Sequence, residues 1–116
     1  MSVQVAAALT GHDDAVGTHA DAVLVDVRES WEWQAGHPPG AVHLPMSALA
    51  AGAGLPADAQ ARPLVLICRT GNRSLQAVTL LAALGAEAVD VIGGMEEWAG
   101  AGLPLVNDRG GSGGVA

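Results

Sequence analysis

Largely apolar runs alternate along the chain with stretches in which apolar residues recur at helical spacing. The runs that predict strands are residues 2–5, 23–27, 41–45, 64–67 and 88–92. Residues 75–84 carry apolar side chains three and four positions apart, which predicts a helix that ends at Gly85. Because strands and helices alternate, we expect an α/β fold with a central, mostly parallel five-stranded sheet and helices on both faces.

The two ends of the chain and the first connections give weaker patterns. Residues 2–5 read as a short edge strand, and Ser30 is the predicted N-cap of the helix that follows it. Residues 107–116 are rich in glycine, which is typical of a flexible tail. The sequence therefore predicts one domain over residues 1–106 and a flexible Gly-rich tail over residues 107–116.

Composition narrows the class of protein. No apolar run approaches the ~20 residues of a membrane span, and the first residues lack the basic start of a signal peptide, so we expect no membrane partner. One cysteine forms no internal disulfide, which favours the cytoplasm. His12, Asp13, Asp14 and His19 are predicted to lie in a solvated loop, and their spacing fits no closed set of metal ligands. No metal site and no cofactor are predicted.

The distribution of charge singles out one segment. The formal net charge is −7, which argues against a nucleic-acid partner. The chain has no lysine, and three of its five arginines lie between residues 62 and 86, where there is no aspartate or glutamate. An acidic protein with one cationic segment indicates an anion site there, the alternative being chance within an apolar stretch.

Cys68 lies within this cationic segment, between a predicted strand and a predicted helix. Taken alone, it is more readily a small buried hydrophobic residue than a nucleophile. Helix N-termini and neighbouring guanidinium groups activate thiols, and the sequence supplies both, with Arg69 adjacent and Arg73 nearby. The residues between the arginines tolerate tight or left-handed backbone, so successive N–H groups can turn toward the sulfur. This context favours Cys68 as a catalytic nucleophile at the carboxyl end of a strand.

Three stretches resemble the rhodanese family of sulfurtransferases. Residues 68–74, C-R-T-G-N-R-S, resemble its active-site loop C-R-x-G-x-R-S. Residues 26–41 resemble its D-V-R-x-x-x-E-[YW]-x-x-G-H-I-P-G-A stretch, with Pro38 in place of isoleucine. Residues 93–98, G-G-M-E-E-W, resemble its closing G-G-x-x-x-W. Their order and spacing match those of a single-domain rhodanese.

This resemblance implies a two-step sulfur transfer that needs no cofactor. The Cys68 thiolate would attack the outer sulfur of thiosulfate, release sulfite and keep the sulfur as a persulfide, which cyanide or a thiol would then accept. The residues expected to bind the anionic donor are Arg69, Thr70, Gly71, Asn72 and Arg73. By family analogy Arg73 faces inward and braces the loop, and Arg69 is more exposed.

The other residues of these motifs are predicted to be structural support. Asp26 and Arg28 would form a buried polar network at the end of a strand, with Glu32 as a candidate partner for Arg28. Ser74 would support the loop. The tryptophans are expected to close the core or rim the pocket, and His37 and His43 to be hydrogen-bonded loop residues.

Two alternatives to thiosulfate sulfur transfer stay open at this point. The same loop would serve a persulfide carrier or binding module, which accepts sulfur from a partner protein in a sulfur relay. A phosphatase or an arsenate reductase is disfavoured, because related dual-specificity phosphatases use C-x5-R. Here Cys68 and Arg73 are spaced as C-x4-R, and the shorter loop suits a single sulfur atom better than a phosphoryl group.

Overall fold

In the part of the chain that the structure describes, four parallel strands form the sheet, in the order β2-β1-β3-β4. The computed structural model describes residues 1–12, 22–107, 109, 111 and 113–115. The strands are β1 (Val23–Asp26), β2 (Val42–His43), β3 (Leu64–Ile67) and β4 (Ala88–Asp90). The helices are α1 (Val3–Leu9), α2 (Ser30–Ala35), α3 (Met46–Ala50), α4 (Asn72–Ala83) and α5 (Gly94–Gly100), and residues Ala57–Ala59 form one turn of 3-10 helix. In the described residues no helix has the length and apolar character needed to span a membrane.

Alternate residues of the two central strands pack on opposite faces of the sheet. On one face Val25 and Leu66 join a buried cluster that includes Leu81 of α4. On the other face Val65 contributes to a second cluster, which includes Trp98 of α5 and residues of α1. Helices therefore cover both faces of a parallel sheet, and the predicted α/β fold is confirmed.

The prediction of five strands is wrong by one, since residues 2–5 contribute to α1 instead of a strand. Ser2 is the N-cap of α1, and its hydroxyl accepts a hydrogen bond from the Val5 N–H at 3.3 Å. The alternation of apolar and polar residues in this segment imitates a strand. Burial of Val3, Ala6 and Ala7, however, follows the helical spacing of three and four residues.

The predicted cap of α2 is also wrong by one residue. Glu29 is the N-cap, and Ser30 is the first helical residue. Glu29 and Glu32 form a capping box, in which the backbone N–H of Glu29 donates to the Glu32 carboxylate at 3.1 Å. The Glu29 carboxylate also accepts a hydrogen bond from the Ser47 hydroxyl at 2.5 Å. This bond links the start of α2 to α3.

Part of the segment predicted as a solvated loop is packed against the fold. The ring of His12 is hydrogen-bonded to the Thr10 hydroxyl at 2.8 Å and to the Pro39 carbonyl at 2.6 Å, and its edge meets Trp98. Burial lowers the pKa of His12 below its ordinary value, although the Pro39 carbonyl opposes that shift. Asp13, Asp14 and His19 lie outside the described residues.

Met1 and Gly114 both form backbone hydrogen bonds to the rest of the domain. The Met1 amino group donates to the Asp90 carbonyl at 3.2 Å, and the Ile92 N–H donates to the Met1 carbonyl at 2.7 Å, so Met1 borders β4. At the other end, the Gly114 N–H donates to the Ala35 carbonyl at 3.1 Å. The flexibility of residues 107–116 and the boundary at residue 106 stay predictions.

Candidate active site

Cys68 is the first residue after β3 and lies at the carboxyl edge of the sheet. It opens a short loop that leads into α4 at Asn72, and we call residues 68–74 the cysteine loop. Cys68 is buried, with 1% of its surface exposed. The neighbouring strand β1 ends at Asp26, which pairs with Ile67. The end of β1 and the α2 segment that follows it therefore lie beside the cysteine loop.

The Cys68 sulfur receives a hydrogen bond from the loop that follows it. The Gly71 N–H points at Sγ with a nitrogen-to-sulfur distance of 3.0 Å, and Gly71 has a φ of +111°, which favours glycine. The thiol donates to the Ser74 hydroxyl at 3.5 Å, and that hydroxyl donates to the Gly71 carbonyl at 3.0 Å. When the thiol loses its proton, the Ser74 hydroxyl can turn and donate to the sulfur, so the loop offers two donors to a thiolate.

Arg73 is held from α2 by Glu32, not left free to meet an anion. Its two terminal nitrogens donate to the two carboxylate oxygens of Glu32 at 2.5 and 2.7 Å. The carboxylate is almost fully buried, while a third of the arginine side chain is exposed. Hydrogen bonding to Arg73 lowers the pKa of Glu32, and the same bond raises the pKa of Arg73. The predicted pairing of Glu32 with Arg28 is therefore corrected to a pairing with Arg73.

Arg69 is the more exposed of the two loop arginines, as the resemblance implies. Half of its side chain is accessible, and Nε lies 3.4 Å from a carboxylate oxygen of Glu96 on α5. Thr70 and Asn72 are exposed beside it. The loop therefore presents polar side chains outward and directs backbone toward the sulfur. The roles of these side chains in substrate binding stay predictions.

Asp26 and Arg28 form a fully buried ion pair at the end of β1. Arg28 Nη2 donates to the Asp26 carboxylate at 2.7 Å and to the Gly36 carbonyl at 2.6 Å, which joins the strand to the end of α2. Nη1 of Arg28 has no hydrogen-bond partner among the described residues. This link between β1 and the end of α2 supports the structural role predicted for both residues.

Sequence reasoning missed the contact of α5 with the cysteine loop. The Met95 N–H donates to the Cys68 carbonyl at 2.7 Å, and the Glu96 N–H donates to the Arg69 carbonyl at 3.1 Å. The pair Gly93-Gly94 before a short helix was a signal of a close backbone approach, but it gave no indication of which segment approaches.

Comparison with known proteins assigns this arrangement to a family. Residues 6–101 match the family model of the rhodanese-like domain. The chain belongs to the rhodanese-like domain family. The structure brings together the three stretches that resemble the motifs of this family: the cysteine loop, the end of β1 with its ion pair, and the Gly93-Gly94 turn.

Relatives and solved structures agree with this assignment. The chain is 40% identical over 81 residues to the thiosulfate sulfurtransferase GlpE of Pseudomonas savastanoi pv. phaseolicola, a match that covers 66% of this chain and 72% of that protein. It is 40% identical over 77 residues to the probable adenylyltransferase/sulfurtransferase MoeZ of Mycobacterium tuberculosis, covering 66% of this chain but only 20% of MoeZ. A rhodanese-related protein of Thermoplasma volcanium superposes with a TM-score of 0.65 at 32% identity, over 74% of this chain and 84% of that one.

The tryptophans of this rhodanese-like domain differ in burial and in their partners. Trp98 is fully buried, and its indole N–H donates to the Pro104 carbonyl at 3.0 Å. Trp33 stacks on His37 and on His43, at centroid distances of 3.6 and 4.6 Å. Trp98 therefore closes the core as expected, whereas Trp31 is 65% exposed and does not. That a tryptophan rims the pocket stays a prediction.

Proposed function

We propose that this rhodanese-like domain is a sulfurtransferase that carries sulfane sulfur as a persulfide on Cys68. The observation that carries the proposal is the Gly71 N–H directed at Sγ inside a loop that buries the sulfur. A hydrogen-bond donor at this distance stabilises negative charge on sulfur, both in the thiolate and in the anionic persulfide. The names of the sulfurtransferase relatives agree with this chemistry.

The proposed reaction has two displacements at sulfur. The Cys68 thiolate attacks the outer sulfur of thiosulfate, a new S–S bond forms, and the S–S bond of thiosulfate breaks as sulfite leaves with the electron pair. Cyanide or a thiolate then attacks the outer sulfur of the persulfide, and Cys68 leaves as the thiolate. No oxidant or reductant beyond donor and acceptor is required. We place this activity in the cytoplasm.

The approach of donor and acceptor runs over the exposed side of the loop. An open groove of about 360 Å³ borders it, lined by Thr70, Gly71, Asn72, Leu75, Asp90, Ile92 and Gly93. Leu75 and Ile92 are more than half exposed there. Arg69 is the loop cation with the most accessible side chain, so we propose that it attracts the anionic donor, while Arg73 is engaged by Glu32.

Sulfur loading of the purified protein tests the proposal. Incubation with thiosulfate should add the mass of one sulfur atom to Cys68, and cyanide should remove it as thiocyanate. The Cys68→Ser variant, which keeps a small side chain at this position, should fold and take up no sulfur. A folded, reduced parent protein that gains no mass would overturn the enzyme assignment, and a Cys68→Ser variant that still transfers sulfur would overturn the choice of nucleophile.

A persulfide carrier in a sulfur relay is the second candidate, favoured by the match to MoeZ, whose name joins adenylyltransferase and sulfurtransferase. This chain corresponds to about a fifth of MoeZ, so the partners of such a relay are proposals. Rates of Cys68 loading from a protein persulfide donor and from thiosulfate separate the two. A much faster protein donor favours the carrier, and comparable or faster thiosulfate loading favours the thiosulfate enzyme.

Phosphate-ester hydrolysis is the least favoured alternative, because the loop between Cys68 and Arg73 has one residue fewer than the C-x5-R loop. Release of phosphate from a small aryl phosphate should be absent in the parent. Inserting one residue between Asn72 and Arg73 should weaken sulfur loading and improve binding of phosphate-sized oxyanions. An unchanged preference after insertion would show that loop length does not discriminate.

A further inference from the structure

The backbone carbonyls at the start of the cysteine loop are occupied by donors from α5. The Cys68 carbonyl accepts from the Met95 N–H at 2.7 Å, and the Arg69 carbonyl accepts from the Glu96 N–H at 3.1 Å. In a planar trans peptide the C=O of one residue and the N–H of the next point in opposite directions. With both carbonyls directed at α5, the N–H groups of Arg69 and Thr70 point away from α5.

The next N–H of the loop, that of Gly71, faces the Cys68 sulfur. The Gly71 N–H follows directly in the chain and points at the Cys68 sulfur at 3.0 Å. Its own carbonyl accepts from the buried Ser74 hydroxyl at 3.0 Å. The N–H groups of residues 69 and 70 thus point away from α5, and that of Gly71 points at the sulfur. Successive N–H groups turned toward one concave side bind anions.

This contact depends on the absence of a side chain at Gly94. A Cβ built on Gly94 would lie 2.3 Å from the Cys68 oxygen and 2.7 Å from the Arg69 oxygen, and its φ is +57°. Both obstacles are backbone atoms, so the loop or α5 would have to shift. We infer that Gly94 and the first amides of α5 are positioning groups, which aim the N–H groups of Arg69 and Thr70 at the outer sulfur of a persulfide on Cys68. The persulfide in this statement rests on the proposed function, whereas the orientation of the N–H groups does not.

One glycine of the same chain provides a matched control for Gly94→Ala. Gly102 has a φ of +73°, and a Cβ there would meet nothing within 4 Å, so Gly102→Ala brings the same backbone strain without the loop contact.

The first measurement is the pH profile of Cys68 alkylation by iodoacetamide, which needs no sulfur substrate. In folded Gly94→Ala the pH of half-maximal alkylation should rise relative to the parent, because fewer N–H groups face the thiolate. In Gly102→Ala it should not move. A folded Gly94→Ala protein with the parent profile, or an equal rise in Gly102→Ala, would overturn the inference.

The second measurement is thiosulfate loading of Cys68, followed by mass. Misaligning a hydrogen-bond donor in such a site costs on the order of 10- to 100-fold in rate, somewhat less than removing one outright. We expect that loss in Gly94→Ala and no loss in Gly102→Ala. If the parent takes up no sulfur but the alkylation profile still shifts as described, the proposed function fails and the positioning role stands.

A second pair of variants, both at Glu96, tests the same inference if Gly94→Ala does not fold. Glu96→Ala removes the exposed ion pair with Arg69 but keeps the backbone N–H, whereas Glu96→Pro also removes the N–H that holds the Arg69 carbonyl. Proline is tolerated in the first turn of a helix, where Glu96 lies. Alkylation at neutral pH should be slower in Glu96→Pro than in Glu96→Ala. Equal profiles in the two variants would overturn the inference.

Discussion

The cysteine loop is held on two sides by contacts of different kinds. From α2, the Glu32 carboxylate accepts two charged hydrogen bonds from the Arg73 guanidinium, and we call this ion pair the clamp from α2. From α5, backbone N–H groups hold the carbonyls of Cys68 and Arg69, and Gly94 permits the approach. The contact with α2 is made by two charged side chains, so substitution of either residue or a change of pH can remove it. The contact with α5 is made by backbone atoms, so it depends on how closely the two backbones approach and not on charge.

This difference predicts different weaknesses. A charged pair is sensitive to pH and to the removal of either partner, and it loses strength where water reaches it. A contact between two backbones is insensitive to pH but tolerates no added atom at the point of approach. The variants below separate the two sides, beginning with the largest expected effect.

Removing the charge of the buried Asp26 carboxylate should cause the largest loss of folding free energy. Asp26→Asn leaves the fully buried Arg28 guanidinium without its carboxylate partner, and such a loss costs about 3–5 kcal/mol of folding free energy. Asp90→Asn, the same change at the end of β4 where the residue is only partly buried, is the matched control. Urea unfolding of both variants checks the prediction, and similar stabilities of the two would contradict it.

Breaking the clamp from α2 should cost less, because water reaches part of Arg73. Glu32→Gln keeps the shape of the side chain and an acceptor for the Glu29 N–H but removes the charge. We expect a loss of about 1–3 kcal/mol. A double-mutant cycle with Arg73→Gln measures the coupling between the two side chains. A coupling near zero would show that the pair contributes nothing to the loop.

The clamp from α2 should also weaken in acid, while the α5 contacts should not. The pKa of Glu32 in the folded protein lies below its ordinary value of 4.5. Its contribution is therefore complete above that ordinary value and is lost as pH falls through the lowered pKa. Unfolding measured from pH 6 to pH 3 should show a steeper loss in the parent than in Glu32→Gln. Parallel curves would exclude a linkage through Glu32.

The exposed ion pair between the loop and α5 should have the smallest effect. Arg69 and Glu96 are each about half exposed and lie 3.4 Å apart, so their attraction is screened by water. Glu96→Gln should change the free energy of unfolding by less than about 0.5 kcal/mol. A larger loss in thermal or urea unfolding would mean that side chains as well as backbone hold the α5 side.

Much of the fold was predictable because burial leaves a local pattern in the sequence. The three long apolar runs became β1, β3 and β4, and the helical spacing after the loop became α4, which begins three residues earlier than that spacing predicts. The first strand was wrong because Val3 and Val5 alternate with polar residues over too few positions to separate a strand from a helix. Only packing against the sheet distinguishes them.

The site was predictable as a loop but not as a set of contacts. Cys68 and the residues that follow it are adjacent in sequence, so their proximity needs no tertiary information. The partner of Glu32 lies 41 residues away, and its choice between Arg28 and Arg73 depends on how α2 is placed over the sheet. The α5 contact involves backbone atoms, which leave no trace in the sequence except the missing side chain at Gly94.

The position of Met1 bears on how the molecule behaves at high concentration. The two edge strands of a sheet present unpaired N–H and C=O groups, which can template the addition of a strand from another molecule. Here β2 has two residues, and β4 has three, with Met1 already bonded at Asp90 and Ile92. In the described part of the chain the sheet thus offers a second molecule little edge to extend, which protects the domain from edge-to-edge aggregation.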